Sequence, residues 1–443
     1  MKSPWLCAVL AVSSATWAWS QQAGPQAGGN VNASNSQVLH LDDLVRQALD
    51  KSVEAQSALH TIEAMKHHLP QAQALPDPTV AVGWAGNPAP FSIMARDASS
   101  YRGATVSEQF PYPGKLKLQG AIAGKDVEAA QAAYEAIRRR IILEAKTAYY
   151  EYFYDRKALQ TAQHNKELLE TLTQLAESQY RVGKASQSDV LRSQVEVSLL
   201  LEKLIVLEEQ RDEAQARINT LLVQSVEPPL PPAEELQPAT IPDSIEQLYT
   251  RSAENDAAKA IQEKQIERDR LSVKLAERQL RPDFEVSYML QQRADQATMN
   301  GLTFSVSIPV FNKTKQRPAI AEAAENLISA EKSRDSRLNQ IRYEVKQQYL
   351  VATAANKLMT LYSKGVIPQT SLAYESSLAA YQTGKGDMQS ALANISTLLN
   401  YETDYYRQLA DYQTALARIE SLTNATPSAS PSTPAIAAAT KEK

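Results

Sequence analysis

Residues able to do chemistry are few and scattered. The histidines are 40, 60, 67, 68 and 164. His60 and His67 stand seven apart, on one helix face, and His67 adjoins His68. Imidazoles so spaced could take copper or zinc at a surface; solvated helix histidines are the stronger reading, and no metal site is assigned. Beyond Met1, the methionines at 65, 94, 289, 299, 359 and 388 lie far apart, and Cys7 is the only cysteine. Soft-metal ligation wants clustered sulfur donors. There is no Gly-x-Ser-x-Gly elbow, no Gly-rich phosphate loop and no Cys pair. The chain therefore offers no catalytic, cofactor-binding or metal constellation, and an enzyme has no residues to work with. Arg138-Arg139-Arg140 reads as a polar helix face, Tyr149, Tyr150, Tyr152 and Tyr154 as helix packing, and Asn424-Ala425-Thr426 as a bare sequon in a polar tail.

With no site to position, the elements themselves carry the function. The 443 residues hold 46 Lys+Arg against 50 Asp+Glu, a formal charge of −4, which excludes a nucleic-acid coat and a polybasic membrane binder. Tyr supplies 19 aromatics against 6 Phe and 4 Trp, and Tyr favours wet edges over dry cores. Residues 1–20 have Lys2, an apolar run from Trp5 to Val12 and a small exit at Ala18-Trp19-Ser20. That is the grammar of a secretory signal peptide. Cys7 lies too early for a lipoprotein cleavage site, so no acyl anchor is expected there. Removing Lys2 with the leader takes the charge from −4 to −5. No later stretch reaches the ~18 apolar residues of a spanning helix.

The chain is duplicated. Pro76-Asp77 answers Pro282-Asp283; Thr105-Val106-Ser107 with Pro111 and Lys115 answers Thr303-Phe304-Ser305 with Pro309 and Lys313. Ile141, Glu144, Lys146 and Tyr149 answer Ile341, Glu344, Lys346 and Tyr349; Tyr180, Gly183, Lys184 and Leu191 answer Tyr381, Gly384, Lys385 and Leu392. The offsets are 206, 198, 200 and 201, in one order. Such self-similarity marks a repeated architecture. The expected organisation is a signal peptide at 1–20, a flexible segment at 21–39, repeats at 40–223 and 243–422, a Pro-rich linker at 224–242, and a disordered tail at 423–443. Glu227-Pro228-Pro229-Leu230-Pro231-Pro232 must be extended.

Each repeat begins with a helix of about 30–35 residues, capped near Asp42-Asp43 or Asp243-Ser244 and ended by Pro76 or Pro282. Two alternating strands follow. Phe284, Val286, Tyr288 and Leu290 oppose Glu285 and Ser287; Leu302, Phe304, Val306 and Ile308 oppose Thr303, Ser305 and Ser307. Val80, Val82 and Trp84 oppose Thr79, Ala81 and Gly83; Ala104, Val106 and Phe110 oppose Thr105, Ser107 and Gln109, with Glu108 an exception on the apolar face. Period two is the strand rule. From Pro111 to Gly183 and from Pro309 to Gly384 the chain is helical, interrupted locally at Gly120, Gly124, Pro318 and Gly365–Pro368. Such a helix spans on the order of 100 Å. Tyr134, Ile137, Ile141, Ala145, Ala148 and Tyr152 recur at coiled-coil spacing. At Gly183 and Gly384 the chain reverses, because a reversal uses a left-handed residue that Gly supplies without strain.

Four strands cannot close a barrel, and a greasy sheet cannot keep open edges in lipid. Several copies must pool strands of bilayer-spanning length. The fold class is mainly α with a membrane β-barrel: duplicated coiled-coil helices and four strands per chain.

Gln109-Phe110-Pro111-Tyr112-Pro113-Gly114-Lys115 and Tyr180-Arg181-Val182-Gly183-Lys184-Ala185-Ser186-Gln187-Ser188-Asp189-Val190-Leu191 resemble the outer-membrane efflux protein family, the TolC-like channels. The resemblance covers about 40–422. It implies a homotrimer with a twelve-stranded barrel in the bacterial outer membrane and an α-helical tunnel through the periplasm, joined by a periplasmic adaptor (membrane fusion) protein and an inner-membrane pump. It implies that the tips Arg181, Val182, Gly183, Lys184, Ala185 and Ser186, and Thr383, Gly384, Lys385 and Gly386, meet the adaptor. It also implies an acidic ring soon after the turning glycine. Asp189 occupies that place in the first repeat, but Ser390 holds it in the second, where Asp387 is the nearest acid. Either Asp could instead cap the returning helix. The Pro-Tyr-Pro-Gly-Lys bend resembles that of members paired with heavy-metal pumps; the substrate, drug or metal ion, stays open.

Two other readings stand beside the duct: a structural or adhesive outer-membrane protein that does not conduct, and a soluble periplasmic coiled-coil scaffold with packed hairpins. High-salt extraction separates the last, and conduction separates the first two.

Overall fold

The computed structural model describes residues 38–86, 93–94, 97, 99–238 and 244–424. The signal peptide, residues 21–37, Asp243 and the tail from 425 onward lie outside the described residues. Helices α1 (Leu41–Lys51) and α2 (Val53–Gln73) lead to strands β1 (Thr79–Ala85) and β2 (Tyr101–Phe110). Helix α3 (Lys115–Arg181) then runs out and α4 (Gln187–Leu221) returns. The second set is α5 (Ile245–Asn255), α6 (Ala257–Arg278), β3 (Asp283–Arg293), β4 (Met299–Ser307), α7 (Gln316–Leu361), α8 (Ile367–Gln382) and α9 (Met388–Thr423).

The 67 residues of α3 form one helix on the order of 100 Å long. Gly120 and Gly124 do not break it, because α2 and α6 pack along that stretch. The matching run in the second set is not uniform. Tyr362–Val366 forms a π-helical turn between α7 and α8, ahead of Pro368. Proline lacks an N–H and crowds the preceding turn, and a π-bulge absorbs the mismatch.

The leading helices differ from expectation. Each is split, at Ser52 and at Asp256. Both residues take extended backbone and cap a new helix: Ser52 Oγ accepts from Ala55 N–H at 3.1 Å, and Asp256 Oδ1 from Lys259 N–H at 2.7 Å. Their offset of 204 makes the break part of the duplication. At the first start, Asp42 and Asp43 sit in the opening turn, where acids favour the helix dipole, and do not cap; the cap position is His40, whose side chain makes no capping bond and meets Glu234 instead. At the second start Ser244 forms a capping box with Gln247.

Helices α3 and α9 form the spine. Toward the tips, Ala158, Ala162, Leu169, Leu172 and Ala176 of α3 pack on α4, α8 and α9. Higher up, Ile141, Ala145, Ala148 and Tyr152, at the expected coiled-coil spacing, meet Leu44 of α1, Ile218 of α4 and Ala410 of α9. Alanines at no more than 1% exposure let the backbones approach closely. Leucines such as Leu172, also 1% exposed, each stabilise the packing by about 1.5–3 kcal/mol.

The Pro-rich segment is extended but not loose. Tyr152 Oη donates to Leu230 and Pro231 carbonyls at 3.1 and 3.2 Å. Tyr149 Oη donates to the Leu39 carbonyl and accepts from Glu234 N–H. Asn219 Nδ2 holds the Val226 and Pro228 carbonyls, and Leu39 bridges Ala233. Burial pushes the Tyr149 hydroxyl up to about 12, so it stays a donor at any ordinary pH. The strap crosses the helices at mid-length, and the tyrosines read as packing residues also hold it.

Candidate functional site: sheet, joint and tips

The four strands form one antiparallel sheet in the order β1-β2-β3-β4. Its register lines up the alternation across strands. Val80, Val106, Tyr288 and Leu302 share one row, and Val286 and Phe304 another. Val82 is 84% exposed and Phe304 72%, so the apolar face is bare. The opposite face carries Thr79, Ser107, Ser287 and Thr303 in one row and Glu285 with Ser305 in the next. Small and polar on one side, large and apolar on the other, it is the pattern of a sheet between lipid and water. Glu108 pairs with Val286 on the apolar face, the expected exception. Among the described residues no helix is long and apolar enough to cross a membrane.

A joint fixes the sheet to the rods. Lys115, 7% exposed, opens α3 and places Nζ 2.8 and 2.9 Å from the two Asp283 carboxylate oxygens, with the Arg281 carbonyl at 3.1 Å. Tyr112 N–H donates to Asp283 Oδ1 at 2.7 Å, and Arg278 Nη1 donates to the Pro113 carbonyl at 2.7 Å. The bond joins the first repeat to the second. Sequence reading found both residues as repeat landmarks but not their pairing, which needs the strand order.

At the far end the two reversals share one geometry. Gly183 has φ +74° and Gly384 +72°. The N–H of Lys184 reaches the Gln179 carbonyl at 2.8 Å, and that of Lys385 the Ala380 carbonyl at 2.9 Å, the double closure of a left-handed C-cap. A Cβ on Gly386 would lie 2.8 Å from Ala380 Cβ, so the second tip also needs glycine there. Arg181, Val182, Lys184 and Ser186 are exposed, Ala185 half-buried, and Thr383 and Lys385 exposed. Val182 is 67% exposed although nothing in the bend requires an apolar side chain.

Both acidic candidates cap returning helices. Ser186 and Asp189 exchange reciprocal bonds at the start of α4, Asp189 Oδ2 accepting from Ser186 N–H at 3.1 Å. Asp387 caps α9, accepting from Ser390 N–H at 2.7 Å. Those donors hold its carboxyl below the ordinary range, and it is exposed, so it stays charged at neutral pH. The tips lie beside one another: Arg192 Nη1 donates to Gln389 Oε1 at 2.9 Å.

One buried carboxylate was not found from sequence. Asp155 of α3, 3% exposed, lines a cavity of about 320 Å³ with Glu151, Glu213 and Arg407. Arg407 is committed to Glu151 at 2.9 Å and lies over the Tyr154 ring. Burial, then Glu151, pushes Asp155 up to about 7 from 3.8. The shift is upward, so ionisation opposes the folded state. That penalty is absent below about pH 4, grows as pH rises, and is complete above about 7. Asp155→Asn is therefore expected to raise the urea midpoint at pH 8 and to leave it nearly unchanged at pH 4. Equal gains at both would show that protonation is not the cause. Among the described residues no cluster of His, Cys, Asp and Glu is arranged to hold a metal ion.

Residues 44–223 match the family described as outer membrane efflux protein. No curated protein sequence matches the chain. In fold it is similar to the outer-membrane channel OprN, at 17% identity and TM-score 0.73 over 86% of this chain and 89% of that one. It is similar to VceC of Vibrio cholerae at 16% identity and TM-score 0.72, over 86% and 96%. CusC, a protein that forms a transmembrane channel, aligns at 13% identity and TM-score 0.74, over 86% and 91%. In sequence, residues 44–223 of the chain are similar to the outer membrane efflux protein family, and in fold 86% of its length is similar to outer-membrane channels.

Proposed function

We propose that three copies of this chain form a passive exit duct, a twelve-stranded barrel in the outer membrane continued by a helical tunnel in the periplasm. The observation that carries it is a four-stranded sheet with one bare apolar face, set on helices too long for any globular core. Among the described residues of one chain β1 pairs only with β2 and β4 only with β3, and open edges are not tolerated in lipid. Leu191, Val195, Leu199 and Ile205 of α4, all more than half exposed, are a stripe that a neighbouring copy would cover. Leu350, Leu361 and Leu372 on α7 and α8, also more than half exposed, are a second such stripe.

The tips 181–186 and 383–386 are the docking points for a periplasmic adaptor, which would link the duct to an inner-membrane pump. Asp387, exposed and charged, and Asp189 are the candidates for an acidic ring at the mouth. Native mass analysis in mild detergent should give a trimer, and that trimer should conduct in planar bilayers. A stable detergent-solubilised monomer would overturn the assembly. A correctly inserted trimer without conductance would leave the structural or adhesive reading.

A further inference from the structure

Among the described residues the joint between sheet and rods exists once, although the duplication writes its residues twice. Lys115 and Asp283 pair across the β2–β3 boundary. Their repeat counterparts are Lys313 and Asp77, at the boundary that one chain leaves open: Lys313 follows β4 and Asp77 precedes β1. Both are exposed, and neither makes an ion pair among the described residues. Lys313 lies in the turn before α7, where Lys115 opens α3.

In the barrel that the trimer closes, we infer that Lys313 of one copy pairs with Asp77 of the next, and that this contact sets the register in which β4 of the first meets β1 of the second. The inference rests on the trimeric reading and adds its seam. The register follows from the duplication. Phe110 faces Phe284 within the chain; shifted by the repeat offsets of 198 and 206, that row becomes Ile308 with Pro78. One step inward along each antiparallel strand puts Ser307 opposite Thr79, then Val306 opposite Val80, Ser305 opposite Ala81 and Phe304 opposite Val82. This register could have put apolar side chains against polar ones, and it does not. Val80, Val82, Phe304 and Val306 all fall on the apolar face, and Thr79, Ala81, Ser305 and Ser307 all fall on the other. A slip by one residue would exchange the faces. Opposite charges also meet at the water-facing end of the seam, where an ion pair fixes register more than it adds stability.

The test is a cross-link in the full-length trimer, with Cys7 replaced by Ser as background. Ala81→Cys with Ser305→Cys places two side chains directly opposite, within cross-strand reach. Oxidation should give covalently linked chains up to trimers. Ala81→Cys with Thr303→Cys, two residues out of register, should give little linkage. An intact trimer that links only in the second pair, or in neither, overturns the register, whereas loss of the trimer in the parent protein overturns the trimeric reading itself. The ion pair has its own arm. Asp77→Lys and Lys313→Asp should each lower the temperature at which the trimer dissociates, and the double exchange should recover most of the loss. No recovery would remove the ion pair from the seam.

Discussion

Arginine at position 304 is expected to cost about 2–4 kcal/mol of barrel stability, and arginine at 305 much less. Phe304 is 72% exposed on the apolar face and aligns with Val286. In a bilayer that exposure is contact with hydrocarbon, where a guanidinium loses its water and gains no partner. Phe304 lies three residues from the helix end of β4, which brings the cost toward the lower half of the range because the penalty falls toward the interface. Ser305 is one residue on and faces the other way, beside Glu285. An arginine there meets water and a carboxylate. Urea unfolding from vesicles measures the difference. Equal costs at both positions would mean that the sheet does not separate lipid from water.

The contrast between neighbours is legible in the sequence because strand alternation is a local property. Val80, Val82, Phe304 and Val306 show their common face before any pairing is known. The long helices were legible for the same reason: Ile141, Ala145, Ala148 and Tyr152 repeat along one helix and were found buried together. What stayed hidden depends on partners distant in sequence. The breaks at Ser52 and Asp256 carry a capping residue, but either residue sits equally well on a solvated helix face until Arg337 is seen pairing with Asp256 at 2.7 Å. Lys115 and Asp283 stand 168 residues apart, and only the β2–β3 adjacency joins them. Asp155 looks like any helix acid until α4 and α9 close over it. Local chemistry was readable; chemistry made by packing was not.

Double replacement of Val182 and Ser186 by Asp is expected to abolish export while leaving trimer yield and membrane insertion intact. Both residues are exposed at the first reversal. The bend is closed by backbone bonds from Gly183 and Lys184, with φ +74° at Gly183, and asks nothing of the Val182 side chain. Ser186 does take part in the cap of α4, and Asp accepts from the same N–H groups, so that start survives the exchange. The packing beneath the tip, from Leu172 and Ala176 of α3 to Met388 and Ala391 of α9, is untouched. What changes is the surface offered to a partner: an apolar side chain and a hydroxyl become two carboxylates beside Asp189, at each of three first-repeat tips in the trimer. An adaptor fitted to the native tip would face unpaired charge at every one, a penalty that compounds with copy number. Export assays in cells and adaptor pull-down from detergent read the loss. The second-repeat tip supplies the internal comparison: Thr383→Asp with Lys385→Asp changes the same surface on the twin. If the first pair exports normally and the second does not, docking belongs to the second repeat alone. If both correctly inserted variants export normally, the reversals serve only to turn the chain.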